Sequence, residues 1–250
     1  AGRGSLLVSL PPWMSSPAAT VRAPMSKEEP PRWLWLWFPP LLLILELGVR
    51  VYSGAAYTRW FDNELGVVEL ATPLCSALGV VAGIAALRHR TRLPTGWLQG
   101  WVALVTLACV YLTGEELSWG QHLFGWSTPE SLMAINDQGE TNLHNMSSWF
   151  DQKPRMLLEL FVLYGGIIHV LMQRGGEKKG DWRAWFWPTY ICLPSALLAI
   201  LVRMPDRLED WFGIGPLPFA IRWSEPQEYY FALFLCLYLL SIWYRVRRTD

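Results

Sequence analysis

Apolar residues run along this chain in six long stretches separated by short polar or basic segments, and the lengths of those stretches predict its architecture. The stretches fall at about 33–51, 64–87, 97–118, 156–173, 185–202 and 228–244. Each holds roughly 18–23 residues, enough to cross about 30 Å of hydrocarbon at a helical rise of ~1.5 Å per residue. In lipid a single spanning segment satisfies its own backbone only as a helix. The pattern therefore predicts an all-α polytopic bundle of about six spans. Residues 32–250 form one transmembrane domain with a long connection at about 119–155. Pro39 and Pro40 sit in the first turns of the first stretch, where a missing N–H costs least.

Residues 1–31 are rich in Ser, Pro, Ala and Gly and show no helical period, so they read as a polar extension. Met25 opens a second start, Met-Ser-Lys-Glu-Glu-Pro-Pro-Arg, and residues 1–24 read as an upstream extension of it.

Charge placement gives the orientation. With the N-terminus inside, one side collects Arg3, Arg22, Lys27, Arg32, Arg88, Arg90, Arg92, Arg174, Lys178, Lys179, Arg183, Arg245, Arg247 and Arg248, fourteen of the 21 basic residues. The positive-inside rule then predicts both termini on the cytoplasmic side. Sixteen of the 21 carboxylates fall on the opposite side or in the outer halves of the spans.

Composition adds three points. More than half of the residues are apolar, which no single soluble core of this size would bury, and the net charge is zero, so nothing points to nucleic acid. Cys75, Cys109, Cys192 and Cys236 each lie inside an apolar run without metal-type spacing and read as packing residues. Most of the 16 tryptophans fall near span ends, among them Trp33, Trp35, Trp37, Trp97, Trp101, Trp119, Trp211 and Trp223, as an aromatic belt at the headgroup level does. Membrane lipids are the expected partners, with other membrane subunits as a second class.

Candidate chemistry gathers at the outer face. Glu46, Glu69, Glu115, Glu116 and Glu159 lie inside apolar runs, all near the outer boundary, and intramembrane carboxylates usually face a bundle interior or a wet cavity. Glu46 is one helical turn before Arg50, which predicts a salt bridge. The others lack a neighbouring cation. Arg203 to Asp210 reads as an internally paired outer loop. The densest constellation is Glu115-Glu116-Leu-Ser118-Trp119-Gly120-Gln121-His122, followed by Gln138-Gly139-Glu140-Thr141-Asn142-Leu143-His144-Asn145. If the third helix continues past Trp119, then Glu115, Ser118 and His122 share a face. Glu140 and His144 stand one turn apart.

The candidate ligand-binding set is Glu115, Glu116, Ser118, Gln121, Glu140, Asn142, His144 and Asn145. Glu116, His122, Glu140 and His144 form a candidate metal set of the carboxylate and imidazole type. Three readings stay open: a hydrogen-bonded network holding the connection to the bundle, a metal site, or a site for a lipid headgroup or other small ligand. No phosphate loop, nucleophile elbow or zinc-protease motif is present, and no inverted repeat suggests a transporter. No reaction is named by these residues, and the competing class is a non-catalytic subunit of a larger membrane assembly.

The segments Glu115–Gln121 (E-E-L-S-W-G-Q) and Gln138–Asn145 (Q-G-E-T-N-L-H-N) resemble motifs of a group of bacterial polytopic membrane proteins. The resemblance covers roughly residues 110–150. It implies a bacterial inner-membrane protein and brings no activity with it. The alkaline ceramidase-like hydrolases, which gather three His, an Asp and a Ser around zinc, offer a second comparison. Here His89, His122, His144 and His169 are spread over different depths, so that pattern is not reproduced.

Overall fold

The structure, a computed structural model, describes residues 30–63, 66–133, 148–173, 181–213, 215 and 221–247. Among them, six helices are long and apolar enough to cross a membrane: Trp33–Tyr52, Val67–Leu87, Gly96–Glu116, Gln152–Met172, Arg183–Phe212 and Ser224–Arg247. They are taken below as the first to sixth spans. The expected all-α bundle is what the chain forms, and every regular element among the described residues is helical.

The sixth span is the hub. Of its apolar stretch 78% is buried, against 17% for the first and for the fourth. Tyr229, Tyr230, Phe234, Tyr238, Ile242 and Val246 are all but inaccessible. A helix that is apolar all round is one surrounded on all sides. It packs most extensively on the second span, then on the fifth and the third.

Small residues let the second span approach both the third and the sixth, Gly79 standing against Cys236 of the sixth, as they do between membrane helices generally. A Cβ added at Gly83 would lie 2.1 Å from Thr106 Oγ1 of the third span, and one at Gly79 would lie 3.0 Å from Cys109 Sγ. Hydroxyls that lipid cannot satisfy bond back to their own helices: Thr72 to the Val68 carbonyl, Thr106 to that of Val102, Thr113 to that of Cys109. Ser76 and Thr113 also share a 2.7 Å bond between the second and third spans. All four cysteines are free and buried.

The fourth span contains a π-helical stretch, Val162–His169, that carries Gly165 and Gly166. A side chain at Gly166 would meet Phe234 at 2.7 Å and Ala196 at 2.8 Å. His169 stacks on Trp187 of the fifth span at 4.7 Å. The fifth span is interrupted at Trp187, whose extended backbone suits the residue before Pro188. Its last part, Met204–Phe212, corrects the expectation of a loop from Arg203 to Asp210. Pro205 stands in the first turn and Gly213 ends the helix in the left-handed conformation. Arg203 pairs locally with Asp206, as expected, but Arg207 reaches Glu159 of the fourth span.

The aromatic belt holds in part. Trp33, Trp37, Trp97, Trp119, Trp126 and Trp211 are exposed, whereas Trp35 and Trp223 are buried. Trp101 turns inward, where its Nε1 donates to the Tyr238 hydroxyl at 2.8 Å and that hydroxyl donates to the Phe186 carbonyl at 2.7 Å. Phe161, Phe186 and Phe234 complete this aromatic cluster by edge and tilted contacts.

Candidate functional site

The third span stops at Glu116 because three consecutive residues adopt positive φ: Ser118 at 45°, Trp119 at 52° and Gly120 at 97°. Two of them carry side chains, a placement that costs on the order of 1–3 kcal/mol each. A helix therefore does not run through Trp119, and Glu115, Ser118 and His122 do not share one helical face. His122 belongs instead to a new short helix, Gln121–Phe124.

The reversal folds the Trp119 indole back onto the span it has just left. Its ring covers Gly114, where an added Cβ would come within 2.9 Å, and meets Tyr111 edge-on at 6.4 Å. Its Nε1 donates a 2.6 Å hydrogen bond to Glu115 Oε1, and the Glu115 carboxylate is buried. Gln121 and Thr128 then exchange side-chain hydrogen bonds of 3.0 and 3.3 Å, which tie the following loop to the turn. Gly114, Trp119 and Gly120 are thus the parts of this motif that set its geometry, and Glu115 is held by them.

Below the turn lies a cavity of about 620 Å³ between the third and fourth spans, floored by the sixth. Its walls are Leu104, Ala108 and Leu112 on one side and Leu157, Leu158 and Phe161 on the other, with Phe231 and Leu235 beneath. Trp101 closes the far end. Leu104, Ala108 and Leu157 are exposed, so the cavity opens sideways, along the flank that lipid would cover. Its charged side chains gather at one end: Glu115, Glu116, Arg155 and Glu228. Arg155 forms an ion pair with Glu228. Glu116 has Glu228, Glu225 and Glu69 as acidic neighbours and Arg155 as its basic one, and takes part in none of the described ion pairs.

Glu69, Asp62 and Glu159 at this end find arginines far away in sequence, and Glu225 finds one three residues before it. Arg222 lies 3.2 Å from Glu69, 2.9 Å from Glu225 and 4.0 Å from Asp62, while Glu159 pairs with Arg207. Glu46 departs from expectation. It is buried, and its Oε2 accepts no hydrogen bond, while the Arg50 guanidinium lies over the Tyr57 ring at 5.3 Å. The short helix Gly54–Trp60 folds back beside Arg50 and offers it that aromatic face instead.

Of the candidate ligand residues, Glu115 and Glu116 line one cavity mouth, while Ser118 and Gln121 belong to the turn that follows and are not among its lining residues. Glu140, Asn142, His144 and Asn145 lie outside the described residues, as does the side chain of His122. The metal set therefore has only Glu116 on view, and among the described residues no three His, Cys, Asp or Glu side chains are grouped to hold a metal. Arg155 and Glu228 were not singled out from the sequence. Both stand at the first turn of a span, at the depth of Glu116 in a six-span topology, and that shared depth is the signal that could have found them. No protein-family model, curated protein or solved structure matches this chain.

Proposed function

We propose that this membrane protein binds an amphiphile whose fatty chain enters from the bilayer between the third and fourth spans. Its polar group then lies at the outer mouth, against Glu116, Arg155 and Glu228. The observation that carries this reading is the segregation within the cavity, with aliphatic and aromatic walls and all four charged side chains at one end. From Trp101 to Glu116 is fifteen helical residues, or ~22 Å along the third span, a length suited to a fatty chain. The volume falls within the ~300–1,000 Å³ usual for small-molecule sites. Glu140, Asn142, His144 and Asn145 enter the proposal as further mouth residues, because the six-span topology expects the connection between the third and fourth spans on the outer side. The same reading puts the protein in a bacterial inner membrane, on the resemblance of its two motifs alone.

Native mass spectrometry of the protein released from detergent tests it. The wild-type chain is expected to retain an added single-chain amphiphile. Ala108→Trp, which fills the cavity from an exposed wall position, is expected to lose it. Leu74→Trp, on an exposed face of the second span, is expected to keep it. Equal retention by all three, or none by the wild type, would contradict the proposal.

A further inference from the structure

We infer that the amphiphile carries a positively charged ammonium headgroup, an assignment that rests on the amphiphile-binding reading and adds the sign of the charge. The mouth of the cavity sets three carboxylates, Glu115, Glu116 and Glu228, against Arg155, the one cation among the described residues that line it. Two of the three are already engaged. Glu115 accepts the Trp119 indole N–H at 2.6 Å, and Glu228 holds the Arg155 guanidinium. Glu116 is the carboxylate left for a ligand, with acidic groups on most of its sides.

The nearest other arginine on the second-span side, Arg222, is spread over Asp62, Glu69 and Glu225. Arg207 is taken by Glu159. Arg155, Arg207 and Arg222 are therefore committed to carboxylates of the fold, and the described lining of the mouth sets three carboxylates against one cation. An anionic headgroup placed there would stand against like charges at low dielectric. A neutral hydroxyl would supply donors but no positive charge to a mouth lined by three carboxylates. A protonated amine supplies both the missing charge and up to three N–H donors for carboxylate oxygens. The walls accept one fatty chain, so the class of ligand is a single-chain amine.

Photolabelling in phosphatidylcholine nanodiscs separates the possibilities. Three probes share one diazirine-bearing chain and differ only in ending as an amine, an alcohol or a carboxylic acid. On the wild-type protein, the amine is expected to label the wall segments around Leu104–Leu112 and Leu157–Phe161 several-fold more than the acid. Glu116→Gln should reduce that excess several-fold. Arg155→Met, which removes the basic group, should preserve or increase it. Labelling by the acid at least as strong as by the amine would overturn the charge assignment and leave the amphiphile site standing. Absence of wall labelling by every probe would overturn both. The amine-to-acid ratio is read on the wild-type chain, so a variant that fails to fold does not disable the test.

Discussion

Replacing Gly114 by Ala adds one methyl group where the third span meets the Trp119 indole. The new Cβ would lie 2.9 Å from ring atoms Cε3 and Cζ3 and 3.0 Å from Cδ2. These are the body of a rigid ring held by a strained turn, so the ring must shift, and its 2.6 Å bond to Glu115 shifts with it. Overpacking costs about 1–3 kcal/mol and loss of a hydrogen bond to a charged group about 1.5–3, while Ala in place of Gly returns up to about 1 within a helix. The net expectation is a destabilisation on the order of 2–4 kcal/mol. Gly100→Ala is the internal control, because that position of the same helix has nothing within 4 Å. It should be neutral or stabilising by up to about 1 kcal/mol. Thermal unfolding of both variants in one detergent reads the contrast. Equal shifts for Gly114→Ala and Gly100→Ala would refute the role given to the folded-back indole.

Three further outcomes are expected. Gly83→Ala drives a methyl group to 2.1 Å from Thr106 Oγ1 and should destabilise the contact of the second and third spans by about 1–3 kcal/mol or more, measured by the same unfolding assay. Cysteine labelling from either side of the membrane should place Arg90, Lys178 and Arg247 in the cytoplasm and Asp137 and Asp210 outside; an outer location for Lys178 breaks the orientation. In a background lacking the native cysteines, Glu116→Cys with His144→Cys should cross-link through a short bifunctional reagent, and failure with reagents spanning about 10 Å would remove His144 from the mouth, being beyond a water-bridged contact.

Six apolar stretches were readable as spans because bilayer thickness fixes their length before any packing is known. Which span lies at the centre was not. The sixth differs from the first in being buried along most of its length, helped by Gly79 and Gly166, which let the second and fourth spans approach Cys236 and Phe234. The third helix ends within two residues of the expected Ser118, but the reversal that follows it was not legible, for a related reason. Gly120 hinted at a turn, but Ser118 and Trp119 enter the left-handed region only because the indole finds Gly114, Tyr111 and Glu115 to rest on. Glu115 and Glu116 were recognised as candidate site residues from their depth in an apolar run. The ion pairs around them were hidden by sequence distance, since Arg155–Glu228 and Arg207–Glu159 join different spans. Glu46 shows the converse: a cation one turn away was available, and Tyr57 took it.

The proposed site for a fatty chain is the cavity between the third and fourth spans. The most direct measurement is an experimental density map of the protein in lipid nanodiscs with a long-chain amine added. The expected result is elongated density running from Trp101 to Glu116, with its polar end within hydrogen-bonding distance of the Glu116 carboxylate. A cavity closed by contact of the two spans, or filled by the protein's own residues 134–147, would contradict it.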